Sequence, residues 1–90
     1  VLIGATISRR LGEIIAGPDI QMRGLVYGKD ADMIVRDVGK TFDLVMGQFL
    51  LSPNYNLEEI RQNLYEACCR AIKRTTGKEP MVLPLIVEVD

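Results

Sequence analysis

Residues 56–77 read NLEEIRQNLYEACCRAIKRTTG, and this stretch decides the fold. Leu57, Ile60, Leu64, Ala67 or Cys68, and Ala71 recur at spacings of three and four, the period of a helix with one apolar stripe. Arg61, Gln62, Glu66, Arg70, Lys73 and Arg74 fall on its wet face. Asn56 stands before the stripe with Glu59 three residues on, the spacing of a capping box, and Gly77 follows basic residues as a helix stop. A helix with a single apolar stripe must bury it against another layer. The sequence on both sides supplies that layer.

Downstream, residues 81–89 alternate as a strand, with Leu83, Leu85, Val87 and Val89 on one face and Val82, Pro84 and Ile86 on the other. Pro84 predicts an edge strand or a bulge, because proline has no N–H for a ladder. Both faces are apolar, so one covers the helices and the other needs a further partner. On this reading Val82, Pro84 and Ile86 are the open face and the candidate subunit interface.

Upstream, Ile34, Val38, Phe42, Val45 and Phe49 predict a first helix over 31–51, with Asp30 as its N-cap and Asp32 favouring its positive end. Gly39 and Gly47 interrupt it, which predicts close packing against the neighbouring helix or a local bend. Ser52-Pro53 ends it, since proline disfavours helical geometry in the residue before it.

Residues 1–8 alternate around Val1, Ile3, Ala5 and Ile7 as a first strand. Arg9-Arg10-Leu11-Gly12 is a hairpin connection, and residues 13–16, centred on Ile14 and Ile15, are the return strand, stopped by Gly17-Pro18-Asp19. Residues 25–27 form a short extended piece. The order is β-β-α-α-β: an α+β two-layer sandwich with two helices packed on one face of a three-stranded sheet. The connection over residues 17–24 has two readings. It is an ordered loop in which Asp19 and Arg23 bind backbone groups or each other, or a docking loop presenting Pro18, Asp19, Arg23 and Gly24.

The composition limits the chemistry. Ninety residues suit one domain, and with 48% hydrophobic and 26% charged residues the chain can bury a core. It has no histidine, so histidine-based triads and metal sites are excluded. A net charge of −1 argues against an autonomous nucleic-acid binder. Gly39-Lys40-Thr41 is not a phosphate loop, because position 34 is Ile where that motif needs glycine and the tripeptide lies within a helical pattern. Asp30, Asp32, Asp37 and Asp43 lack calcium-loop spacing and are read as a solvated face. Arg70, Lys73 and Arg74 share one face near the helix C-terminus. They complement the dipole and predict a Glu66–Arg70 pair, or else touch a few RNA phosphates.

Cys68 and Cys69 are adjacent, so one is expected in the core and the other at its boundary. Two unpaired thiols, with no long apolar run and no signal pattern, predict a cytoplasmic protein without a membrane span. The chain opens inside an apolar strand with no polar lead-in, so a single domain that is a fragment of a longer protein is expected.

Two stretches resemble a known family. Gly17-Pro18-Asp19-Ile20 followed by Arg23-Gly24-Leu25-Val26-Tyr27 resembles the Gly-Pro-acidic-Ile and Ser-Arg-Gly-Phe-Val-Tyr element of the ribonuclease J C-terminal domain. Pro80-Met81-Val82-Leu83-Pro84-Leu85-Ile86-Val87-Glu88-Val89 is similar to that family's closing strand, Pro-Met-Ile-Leu-Pro-Val-Ile-Met-Glu-Val. Met22 stands where the family usually has Ser and Leu25 where it has Phe, and Gly39 and Gly47 are unusual in the first helix. The resemblance spans essentially the whole chain. It implies a non-catalytic domain of a zinc-dependent metallo-β-lactamase/β-CASP nuclease that cuts RNA internally and from the 5′ end. It also implies that the domain supports homo-oligomer assembly and full activity, with RNA and zinc handled by the parent protein and no cofactor in this chain. The alternative is an auxiliary RNA-contacting module using Arg70, Lys73 and Arg74, with Arg23.

Overall fold

The computed structural model describes residues 1–22, 28–79 and 81–89, with the side chains at positions 28 and 29 outside that description. Arg23, Gly24 and the extended piece expected at 25–27 therefore lie outside the described residues. The elements run β1 (Leu2–Ser8), β2 (Glu13–Gln21), α1 (Gly28–Phe49), α2 (Leu57–Thr76) and β3 (Leu83–Val89). The β-β-α-α-β order read from the sequence is the observed one. The sheet order is β2-β1-β3, with β2 antiparallel and β3 parallel to β1.

The core is the contact between one sheet face and the two helices. Ile3, Ala5 and Ile7 of β1 are buried beneath Ile34, Val38, Phe42, Val45 and Met46 of α1 and Ile60, Leu64, Cys68, Ala71 and Ile72 of α2. α1 lies against β2 and α2 against β3, with the two helices packed on each other. Thr75 Oγ1 donates to the Asp37 carboxylate and ties the helices together.

α2 shows how local chemistry sets an element's ends. Asn56 is extended, and its side-chain oxygen accepts the Glu58 N–H at 2.8 Å, so the cap works through Glu58 and not through Glu59 as the box spacing suggests. At the other end Gly77 adopts φ 74°, a left-handed conformation costly for other residues, and its N–H returns to Lys73 O at 2.7 Å. α1 is displaced from its expected bounds. It starts at Gly28, which places Asp30 inside the first turn instead of at the cap, and it stops at Phe49. The carboxylate still faces the positive end of the helix dipole.

β2 departs most from expectation. It runs on through Gly17-Pro18, joined by a cis peptide bond, to Gln21. The ladder pairs Thr6 with Ala16 and then Gly4 with Asp19, so Gly17 and Pro18 sit in a bulge with no partner in the register. Proline is tolerated because β2 is an edge strand and the bulge needs no donor there. Glycine is required at 17: φ is 97°, and a Cβ would stand 2.7 Å from Gly4 O. Gly39 and Gly47 do not mark close packing of one helix on the other. A Cβ at 39 would come no nearer than 4.0 Å to Ile20 Cδ1, and one at 47 would meet nothing within 4 Å.

The two faces of β3 are assigned the other way round from the sequence expectation. Val82 and Ile86 are 2% and 3% exposed and Pro84 is half-buried, so these three face the helices. The parallel register sets this parity by placing Pro84 beside Ile3 and Ile86 beside Ala5, both in β1's buried row.

Candidate functional site

The uncovered side of the sheet carries the candidate site. Along β3, Leu83, Leu85, Val87 and Val89 are 52%, 54%, 56% and 40% exposed. They stand in register with Leu2, Gly4, Thr6 and Ser8 of β1. On β2 this face continues as Glu13, Ala16, Asp19 and Gln21, the partners of Ser8, Thr6, Gly4 and Leu2. The result is an aliphatic row along one edge strand and an acidic margin, Glu13 and Asp19, along the other. A contiguous apolar strip of this kind is a mark of association.

The rim of the sheet is held by a cluster that local patterns do not announce. Arg9 donates from Nε to Glu88 Oε1 at 3.0 Å and from Nη2 to Glu88 Oε2 at 2.9 Å. Its Nη1 donates to Pro53 O and, at 2.9 Å, to Tyr55 O. The guanidinium lies 4.0 Å from the centroid of the Tyr55 ring. One side chain thus joins β1, the α1–α2 connection and β3. Glu88 raises the Arg9 pKa, chiefly through their hydrogen bond. The Tyr55 hydroxyl is buried with no hydrogen-bond partner among the described residues, and burial, then the charge of Glu88, pushes its pKa up. Glu88, the one charge within β3 and set on its helix-facing side, is the only sequence signal that pointed here.

The other sequence candidates scatter. Pro18 and Asp19 lie within β2, not in a loop, and Asp19 accepts a hydrogen bond from the Gln21 side chain at 3.2 Å. Arg70, Lys73 and Arg74 are exposed on α2, on the layer away from the open sheet face. Arg70 and Lys73 line a shallow recess of about 370 Å³ with Tyr65, Glu66, Cys69 and Glu79. Lys73 pairs with Glu79 at 3.1 Å, while Glu66 accepts from Gln62 at 2.9 Å in place of the expected pair with Arg70. Positive and negative groups alternate there, so the cations face neighbouring carboxylates as well as solvent. Cys68 is buried and Cys69 half-buried, both free, and burial pushes the Cys68 thiol up to about 11.

The chain holds no histidine, and among the described residues no three Cys, Asp or Glu side chains converge on a possible metal position. No described helix is long and apolar enough to cross a membrane.

Comparison with known proteins adds the final observation. A family model described as the ribonuclease J C-terminal domain matches residues 1–89. The chain is similar to ribonuclease J 2 of Staphylococcus epidermidis, 26% identical over 84 residues, and to ribonuclease J 2 of Staphylococcus aureus, 27% identical over 84 residues. Each alignment covers 93% of this chain and 15% of the relative, so the chain spans about one-seventh of the length of the curated relatives it matches.

Proposed function

The chain belongs to the ribonuclease J C-terminal domain family, and from that premise we propose that it is the non-catalytic assembly domain of a longer ribonuclease. The parent's substrate on this reading is RNA, cut by a zinc-dependent metallo-β-lactamase/β-CASP catalytic region. This domain holds subunits together so that the parent reaches full activity. The observation that carries the reading is the uncovered apolar face: four aliphatic side chains stay about half exposed on a sheet whose other side packs against both helices. Such a face is costly to leave in water and is explained by a partner. A cytoplasmic location goes with this reading and is supported by the two free cysteines.

The alternative, an auxiliary RNA contact through Arg70, Lys73 and Arg74, is less well supported because Glu66 and Glu79 stand among the cations. Deleting this domain from a ribonuclease J-type parent tests the assembly reading. A smaller oligomer with slower RNA cleavage is expected, and an unchanged oligomer with unchanged cleavage overturns it.

A further inference from the structure

A groove of about 470 Å³ runs between the β1–β2 turn and the end of α1. Asp43, Met46 and Gly47 form one wall, continued by Leu50, whose N–H still bonds to Met46 O at 2.9 Å; Glu13 and Ile14 stand in the other. Gly12 sets the width. Its φ is 64° and a Cβ there would come 3.2 Å from Leu50 O, so the turn and the helix end already touch. Leu51 also lines the groove and is 86% exposed. Gly47 is the odd residue in this wall. Glycine weakens a helix interior relative to alanine, and a Cβ at 47 would meet no described atom within 4 Å. The bare backbone there leaves room for something to lie against the helix.

The charge of the groove says what that occupant is. Glu13 and Asp43 are exposed on opposite walls, and neither has a hydrogen-bond or ion-pair partner among the described residues. No Lys or Arg lines the groove among those residues. α1 carries no basic residue in its last turn, whereas α2 carries Lys73 and Arg74, so the negative end of the α1 dipole has no cation of its own. Two carboxylates and a helix C-terminus repel RNA phosphates and attract a cation. The aliphatic walls take apolar side chains, and the stem of a Lys or Arg lies along such a surface with its head at a carboxylate. From Asp43 to Leu51 the groove follows α1 for about 12 Å, roughly two turns of a helix laid beside it. We propose that this groove docks a short amphipathic helix of a partner protein, its aliphatic side chains seated against Ile14, Met46 and Leu51 and a Lys or Arg held between Glu13 and Asp43. The site is distinct from the β3 row and goes beyond the assembly reading, on which it does not depend.

The probe is an amidated helical peptide of Leu, Lys and Ala, with leucines at spacings of three and four and lysines flanking them. Titrated into this chain, it is expected to bind with a Kd of roughly 0.1–1 mM and to shift the backbone amide signals of residues 11–14 and 43–51. Peptides with Glu in place of Lys, or Ser in place of Leu, are expected to bind about tenfold more weakly. Leu51→Ser and Gly47→Leu change exposed positions, so each is expected to retain Tm and the far-UV spectrum while weakening binding about tenfold. Asp43→Asn combined with Glu13→Gln is expected to remove the preference for the Lys peptide over the Glu peptide. Four results each overturn the proposal: no binding at about 1 mM peptide, shifts centred on β3 or on Arg70 and Lys73, binding unaltered by both Leu51→Ser and Gly47→Leu, or a Lys preference that survives loss of both carboxylates. The parent nuclease is titrated in parallel. Equal binding there supports a separate partner, whereas a parent that refuses the peptide has the groove filled by its own chain or by another copy, and this overturns it. None of these readouts depends on subunit assembly, which deletion of the domain tests separately.

Discussion

Arg9 and Glu88, 79 positions apart in the chain, meet in a two-pronged ion pair, with N–O distances of 3.0 and 2.9 Å, at the end of the sheet where β1 and β3 finish side by side. The planar guanidinium matches the carboxylate with two parallel bonds and still has Nη1 free for the carbonyls of Pro53 and Tyr55. Lysine has one point of attachment and cannot reproduce this. Arg9→Lys and Glu88→Gln are each expected to lower Tm by roughly 5 °C, with the double variant less than additive because each disables the same contact. Thermal melts of the four proteins check this, and additive losses would refute the coupling.

The parity of β3 separates two neighbouring residues. Ile86 is buried under α2, so Ile86→Ala is expected to cost about 2–5 kcal/mol. Leu85 points away from the core, and in the monomer Leu85→Ala is expected to change stability by no more than about 0.5 kcal/mol. Urea denaturation at low protein concentration compares them. Equal losses would mean that the strand is turned over.

Glycines in this chain divide by what surrounds them. Gly47 lies in a helix with open space where a side chain would go, so Gly47→Ala is expected to stabilise by about 0.5–1 kcal/mol. Gly17→Ala forces a side chain onto Gly4 O at a positive φ and is expected to destabilise by about 2–3 kcal/mol. Denaturant midpoints of the two variants should move in opposite directions.

Cys68 predicts a pH dependence. Burial raises its folded pKa from 9.0 to about 11, so the thiol stays neutral in the core while the unfolded chain ionises freely. The stability this gives is complete below about pH 9 and is lost as pH rises toward 11, by about 2–3 kcal/mol. Tyr55, raised as well, acts in the same direction. Urea melts between pH 8 and 11 should therefore show a shallower fall for Cys68→Ala than for the parent sequence. Parallel curves would remove Cys68 as the cause.

These features explain why the sequence was readable in some places and not in others. α2 was legible because its stripe, its Asn56 cap and its Gly77 stop are all encoded within the element. The full length of β2 is hidden because Gly17-Pro18 ordinarily stops a strand, and only the partner register shows that a bulge absorbs both residues. The two faces of β3 were legible as faces, but both are apolar, and the choice between them rests with β1, some eighty positions away. The Arg9–Glu88 pair was hidden for the same reason, since neither residue has a local partner that announces it.

The parallel pairing of β1 and β3 also sets how the domain responds to load. Leu2 lies beside Leu83 and Ser8 beside Val89, so tension drawn between Leu2 and Val89 slides the two strands along each other. Every bond of that ladder then bears force together in shear, where an antiparallel hairpin pulled from its open end would unzip one bond at a time. The strand pair is thus a mechanical clamp, and a tug between its far ends meets the ladder at its strongest.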